Sequence, residues 1–295
     1  MAFVRNFSLE AIEALKREPL FAKHLLPDII EGKPRRNRKE NSFVFPAIRN
    51  GRIDFYWAGG KLFSYEAKSG FKTHQKYASV MVGNMGDYVS ESSLGNGAVR
   101  LIGNFCEGYE RIKENCECYN GLEGFGVSAL YERFSCVMKE AHPVVILDIE
   151  ASLAKEESSE KDRIDVVALD VENGLIRFIE AKHYSYRSAL RATVGKTPNV
   201  VGQMKRYAAQ LGKRSEEVLS AYKSHIRILN SLFSVNIPEP SRVDSDPILF
   251  IFGFDDEQKS FLTNSIKPVL ADNKLRVYCK GNVKDTNLST VFHTK

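Results

Sequence analysis

The sequence predicts an α/β protein, and three observations carry that prediction. Stretches with period-two or continuous apolar character alternate with stretches of helical period. Dipeptides rich in glycine and asparagine stand between neighbouring β-like runs, as they do in hairpins. After residue 125 the runs follow the order helix, three-strand meander, helix, strand, and residues 1–104 repeat that αβββαβ order in outline. Two tandem related units, 1–104 and 126–295, are therefore expected, with residues 105–125 as a linker.

Composition narrows the class. A chain of 295 residues accommodates one large or two small domains, and 43% hydrophobic with 27% charged residues is ordinary for a soluble globular protein. The net charge of +5 and pI near 8.8 permit a polyanionic partner without requiring one. Five cysteines at irregular spacing imply no disulfide framework and fit a reducing cytoplasm. Cys106, Cys116 and Cys118 lack the spacing of a zinc knuckle. No long apolar run is present, so neither a leader nor a membrane span is expected, and the expected location is cytoplasmic.

Leu9, Ile12 and Leu15 set a helical period over 9–18, with Ser8 as N-cap and Pro19 interrupting. Lys33–Lys39 is strongly basic; Arg35, Arg36 and Arg38 form either a solvated loop or an arm contacting phosphates. Three β-like segments follow at 42–49, 52–57 and 61–68, the first two joined by Asn50-Gly51. A weaker helix is expected at 74–89 and a strand at 98–102. Val127, Leu130, Phe134, Val137, Met138 and Ala141 make the apolar stripe of a helix over 127–141, stopped by His142-Pro143. A strand at 144–149 and a charged loop at 155–161 lead to the central hairpin. Helices are expected at 199–211, 216–233 and 259–270. Residues 247–254 read as a buried parallel strand and 275–279 as a last strand.

The hairpin Asp162–Lys182 carries most of the functional content. Glu180 and Lys182 are two apart on a strand and share a face. Asp165 joins that face if the loop has an even number of residues. It lies opposite Glu180 with Glu172-Asn173 central, or opposite Lys182 with Asn173-Gly174 central; an unbulged three-residue loop sends it to the other face. Two carboxylates about 4 Å apart repel by roughly 4 kcal/mol at an effective dielectric near 20. A divalent cation between them removes that cost, and hard oxygen ligands suit Mg2+ or Mn2+. A lysine alongside can steady an attacking water or the charge on phosphorus. The plainer alternative is a structural carboxylate–lysine pair at a sheet edge, but flanking apolar residues on both faces make an unpaired charge expensive there. Downstream, Gln203 and Tyr207 stand at i and i+4 on one helix face.

A strand Asp, then Glu-x-Lys, then a helix with Gln-x-x-x-Tyr resembles the PD-(D/E)xK nuclease superfamily, particularly its RecB-type branch. The resemblance spans roughly residues 125–255, with Ile164 where the motif has proline. It implies a restriction-endonuclease-like core, and a Mg2+- or Mn2+-dependent hydrolase of DNA phosphodiester bonds acting in repair or in defence against foreign DNA. It further implies Asp165 and Glu180 as metal ligands helped by the Ala181 carbonyl, Lys182 beside the water, and Gln203 and Tyr207 over the site. An acidic residue on the preceding helix often completes such sites; Glu132 is the positional choice and Glu150 its rival. An RNA nuclease and a non-cleaving nucleic-acid-binding module on the same fold are the alternatives.

His183, Tyr184, Tyr186, Arg187 and Arg191 interleave basic and aromatic residues just after Lys182, which suits a nucleic-acid strand; ordinary surface residues of a loop are the alternative. No Gly-x-x-x-x-Gly-Lys loop is present, so ATP-driven action calls for a protein partner supplying an ATPase or helicase. Finally, Arg52-Ile53-Asp54 and Glu66-Ala67-Lys68 repeat Arg163-Ile164-Asp165 and Glu180-Ala181-Lys182 residue for residue. Asp54, Glu66 and Lys68 are thus a second candidate site, provided an odd-length loop with a glycine bulge brings them to one face.

Overall fold

The structure, a computed structural model, describes residues 3–34, 41–80, 88–94, 101–153, 162–192 and 196–295. The basic residues Arg35, Arg36 and Arg38, and most of the strand expected at 98–102, lie outside the described residues. The chain is mixed α/β with two main sheets.

Helix α1 (Leu9–Arg17) starts where Ser8 Oγ accepts the Ala11 amide at 3.2 Å, and it buries Ala11, Ile12 and Leu15. Strands β1 (Phe45–Ile48), β2 (Ile53–Trp57) and β3 (Gly60–Glu66) form the expected meander. Gly51 takes φ +70 in the first turn. A register shift at Phe55/Tyr56 supplies the bulge.

The first sheet then departs from expectation. Gly70, at φ +68, turns the chain directly into β4 (Gly70–His74), antiparallel to β3, and β5 (Tyr88–Ser90) adds beyond it. Of the helix expected over 74–89, residues 81–87 lie outside the described residues; among those described, only Gln75–Ala78 is helical. Phe71 and Thr73 point inward with period two, a strand signature that the polar residues between them obscure. The sheet is therefore antiparallel throughout, with no helical crossover after its third strand.

The segment expected as a linker, with a short charged helix around Tyr109–Glu114, does contain a helix, α2 (Tyr109–Cys118), but Tyr109, Ile112 and Cys116 are buried against the first sheet. Helix α3 spans Leu122–Phe134, beginning and ending earlier than the apolar stripe suggested. A Cβ on Gly126 would meet the Phe252 ring at 2.1 Å, so glycine lets this helix lie directly on the second sheet. The helix stops because the next backbone groups bond to a strand: Cys136 N–H donates to Ile146 O at 3.1 Å.

The second sheet contains β6 (Val144–Leu153), β7 (Asp162–Asp170) and β8 (Leu175–His183). After helices α4 (Asn199–Lys213) and α5 (Ser215–Phe233) come β9 (Ile248–Phe252) and β10 (Arg276–Lys280), separated by a helical run from Asp256 to Asp272. The strand order is β10-β9-β8-β7-β6, with Arg242–Val243 also pairing β8. β9 is parallel to β8 and to β10, as its continuous apolar run predicted.

The two halves share their interior. Phe21 packs on both Phe55 and Phe233, and the cluster beneath the other face joins Phe45 and Tyr56 to Val166 and Phe250. A buried charge network also links the sheets. Asp148 on β6 accepts from Arg5 Nη2 at 2.9 Å, Arg49 Nη1 at 2.7 Å and Tyr222 OH at 3.1 Å. Against the cost of burial, Arg49 and Arg5 hold the Asp148 carboxyl down at about 2.

Candidate active site

The hairpin register settles the face of Asp165. Leu175 pairs with Asp170 and Ile179 with Val166, leaving Val171-Glu172-Asn173-Gly174 as a four-residue connection centred on Glu172-Asn173. Gly174 takes φ +61 there. Continuing the register sets Asp165 opposite Glu180, the first of the arrangements read from the sequence. At that point the two strands part: the Asp165 carboxylate, rather than a strand carbonyl, accepts the Ala181 amide at 2.8 Å. On the other side of Asp165, Glu150 falls between the paired Ile149 and Ala151 with φ +52. A glutamate in this left-handed conformation is strained, and such strain gathers at functional sites.

Glu180 is 1% exposed. Its Oε1 receives Lys182 Nζ at 2.7 Å and Gln203 Nε2 at 2.9 Å, while its Oε2 is buried without a hydrogen-bond partner. Gln203 also donates to Tyr207 OH at 2.7 Å, and the Tyr207 hydroxyl donates to Arg163 O at 2.6 Å. The helical i, i+4 pair thus clamps the site from α4: one end holds Glu180, the other the backbone two residues before Asp165. Gln203 therefore orients the glutamate.

The acidic residue that helix α3 brings to the site is Glu123, not Glu132. Glu123 Oε2 lies 3.6 Å from Lys182 Nζ, and its Oε1 is buried without a partner. Glu132 is half-buried nine residues on, about 13 Å further along the helix axis. Sequence reading missed Glu123 because Gly121, Gly124 and Gly126 disguised the start of the helix. An acidic residue just after a glycine, in the first turn of an apolar-periodic run, was the available signal. Glu150 instead pairs with Arg163 at 3.2 Å, at the edge of the site.

The charges are strongly coupled. Burial and the facing Glu180 push the Asp165 carboxyl well above the usual carboxylate range, with Lys182 opposing. Burial raises Glu180 as well, against the pull of Lys182, and Glu123 adds to the rise. Burial similarly raises Glu123. Burial works against the Lys182 charge, but Glu180, Asp165 and Glu123 together hold it above its ordinary value, so it remains an ammonium.

Among the described residues no three His, Cys, Asp or Glu side chains stand together so as to enclose a metal ion. What the site offers is a facing carboxylate pair with an unsatisfied buried oxygen on Glu180. Such a donor set fits Mg2+, which takes one or two carboxylates and keeps its remaining positions for water and phosphate.

The second candidate site is not gathered in this way. Asp54 is 2% exposed and is occupied by Arg52 Nε at 2.9 Å, Arg49 Nε at 3.5 Å and Ser64 Oγ at 2.7 Å. Glu66 is the last residue of β3, and its carboxylate accepts Ser69 Oγ at 3.0 Å. Lys68 lies exposed in the turn beyond. The strand ends too soon to set Glu66 and Lys68 on one face.

Past Lys182, Arg187 is exposed on the short helix Arg187–Leu190, and Arg191 caps it. No family model, no curated protein and no solved structure matches the chain. No described helix is long and apolar enough to cross a membrane.

Proposed function

We propose that this chain is a Mg2+-dependent nuclease hydrolysing phosphodiester bonds of DNA, with a restriction-endonuclease-like core. The observation that carries the reading is the facing Asp165–Glu180 pair, Glu180 buried and Asp165 half-buried, with Lys182 on the same face. In support, α3, the meander β6-β7-β8, α4 and β9 follow the αβββαβ order of that core. Asp165 and Glu180 would hold the ion, with Glu123 beside them. When bound, the ion polarises a phosphate oxygen and lowers the pKa of a bound water. Lys182, kept protonated by its carboxylates, supplies positive charge to the phosphate rather than acting as a base. Gln203 and Tyr207 hold Glu180 and the Asp165 strand in place.

The test is cleavage of plasmid and oligonucleotide DNA with Mg2+ or with chelator, alongside RNA of matching sequence. Replacing Asp165, Glu180 or Lys182 by alanine should lower the rate on the order of a hundredfold or more, the scale expected for loss of a preorganised stabiliser. Full activity in any folded variant would remove that residue from the mechanism. One observation favours a second reading, a DNA-binding module that does not cut: Lys182 already satisfies one Glu180 oxygen at 2.7 Å. A protein that shifts DNA in a gel but never cleaves it would decide for that module.

A further inference from the structure

The face that carries Glu180 and Lys182 continues past the end of β8 into Tyr184, two residues on. The chain turns there, and Arg191 returns so that its guanidinium lies between two rings. It stands 5.1 Å from the Tyr184 centroid and 4.8 Å from that of Phe261. Phe261 arrives from the other side, on the helical run after β9. Tyr184 is buried beneath this arrangement and packs toward Phe254, with ring centroids 6.2 Å apart. Phe261 is 46% exposed.

Two features mark this stack as more than packing. Arg191 Nε is buried with no hydrogen-bond partner, and among the described residues no carboxylate lies within ion-pair reach of the guanidinium. A guanidinium nitrogen taken out of water is ordinarily paired; Arg191 as a whole is half-buried, and its buried Nε has the two aromatic faces as compensation. The stack also leaves a large aromatic ring half in solvent beside a free cation. Tyr186, on the same turn, is 51% exposed.

Taking the nuclease reading as its basis, we infer that Phe261 and Arg191 form a stacking platform for an unpaired base, so that the DNA is engaged as a single strand. In a duplex both faces of an internal base are covered by its neighbours, leaving a protein ring nothing to stack upon. An unpaired base offers its π-face, and ring stacking tolerates any base. Arg191 then serves twice, as the layer beneath Phe261 and as the donor to a strand phosphate. From Lys182 to Tyr184 is roughly 7 Å along the strand, the length of about two stacked nucleotides. Arg191 lies a further 5.1 Å beyond the Tyr184 ring and the Phe261 ring 4.8 Å from Arg191, so the platform holds a base within about five nucleotides of the phosphate presented to Asp165 and Glu180.

The experiment is fluorescence anisotropy on the full chain in chelator, where nothing is cut. Three labelled probes are compared: a thymidine oligonucleotide, a strand of the same length with abasic residues, and a duplex. Single strand should bind more tightly than duplex. Phe261→Ala should weaken single-strand binding about tenfold, within the range for one stacked base, and leave the abasic strand and the duplex unchanged. Phe261→Tyr should restore binding. Equal weakening on all three probes, no weakening on the thymidine strand, or no rescue by tyrosine overturns the platform; melting curves confirm that the variants fold. The two readings fail separately. Single-strand binding through Phe261 by a protein that never cuts refutes the hydrolase alone, whereas cleavage indifferent to Phe261→Ala refutes the platform alone.

Discussion

Replacing Asp165 by asparagine should make the metal-free protein more stable while abolishing its response to Mg2+. Asparagine keeps the shape of the side chain and an oxygen for the Ala181 amide, which Asp165 now receives at 2.8 Å. What it removes is one charge of a facing pair, on the half-buried partner of a buried Glu180. Two carboxylates near 4 Å repel by about 4 kcal/mol at an effective dielectric of 20, and the attraction of the Lys182 ammonium for Asp165 itself offsets part of this. A residue of about 2 kcal/mol is left for the substitution to recover, a rise of about 4 °C in melting temperature at this chain length.

The sign with pH follows from the raised Asp165 carboxyl. The folded state then binds the proton more tightly than the unfolded one, so the aspartate costs little in acid and more as pH climbs through its folded value. The gap between variant and parent should therefore widen from acid to neutral pH. Mg2+ at a hundredfold excess over its dissociation constant should add about 2.7 kcal/mol to the parent, about 5 °C, and nothing to the variant. Thermal melts in chelator and in Mg2+ read both quantities. A variant that melts below the parent in chelator, or that keeps the Mg2+ shift, refutes the reasoning.

Two further predictions concern the network between the sheets. Asp148→Asn leaves Arg5 and Arg49 buried without their shared counter-charge and should cost about 3–5 kcal/mol in urea unfolding; a loss under about 1 kcal/mol would show that the network is dispensable. His225 is fully buried with Nε2 2.8 Å from Leu147 O, and burial holds it at about 4 against an ordinary 6.5. The unfolded chain takes up that proton first, so stability should fall by about 3 kcal/mol as pH drops from 6.5 to 4. His225→Gln should flatten that slope, and an unchanged slope would assign the pH dependence elsewhere.

The elements legible in the sequence were those whose determinants are local. Glu172-Asn173-Gly174 marks the hairpin turn but leaves three registers open, and the four-residue connection in the structure is what sets Asp165 opposite Glu180. The i, i+4 spacing of Gln203 and Tyr207 is fixed by the helix alone, although which site group they hold is not. The continuous apolar run at Ile248–Phe252 announced a buried parallel strand. What escaped depends on contacts distant in sequence. The glycines at 121, 124 and 126 look like linker until Phe252 is packed against Gly126, and only then does Glu123 arrive beside Lys182. Gly70–His74 reads as polar until β3 pairs with it. The Arg191 stack is assembled by Phe261, seventy positions away.

The repeated tripeptides show how little a motif determines without its surroundings. Arg-Ile-Asp and Glu-Ala-Lys occur twice, each time across adjacent antiparallel strands. In the second sheet the strand bearing Glu180 runs on to His183, so Glu180 and Lys182 remain on one face and Asp165 meets a second carboxylate. In the first sheet the corresponding strand stops at Glu66, Lys68 falls in a turn, and Asp54 meets Arg49 and Arg52 instead. A carboxylate facing a carboxylate is left with unmet charge and a demand for a cation. A carboxylate facing two guanidiniums is already neutralised and has no such demand. Arg49, by reaching from Asp54 to Asp148, makes the first set part of what joins the two sheets, and the difference traces to where one strand ends.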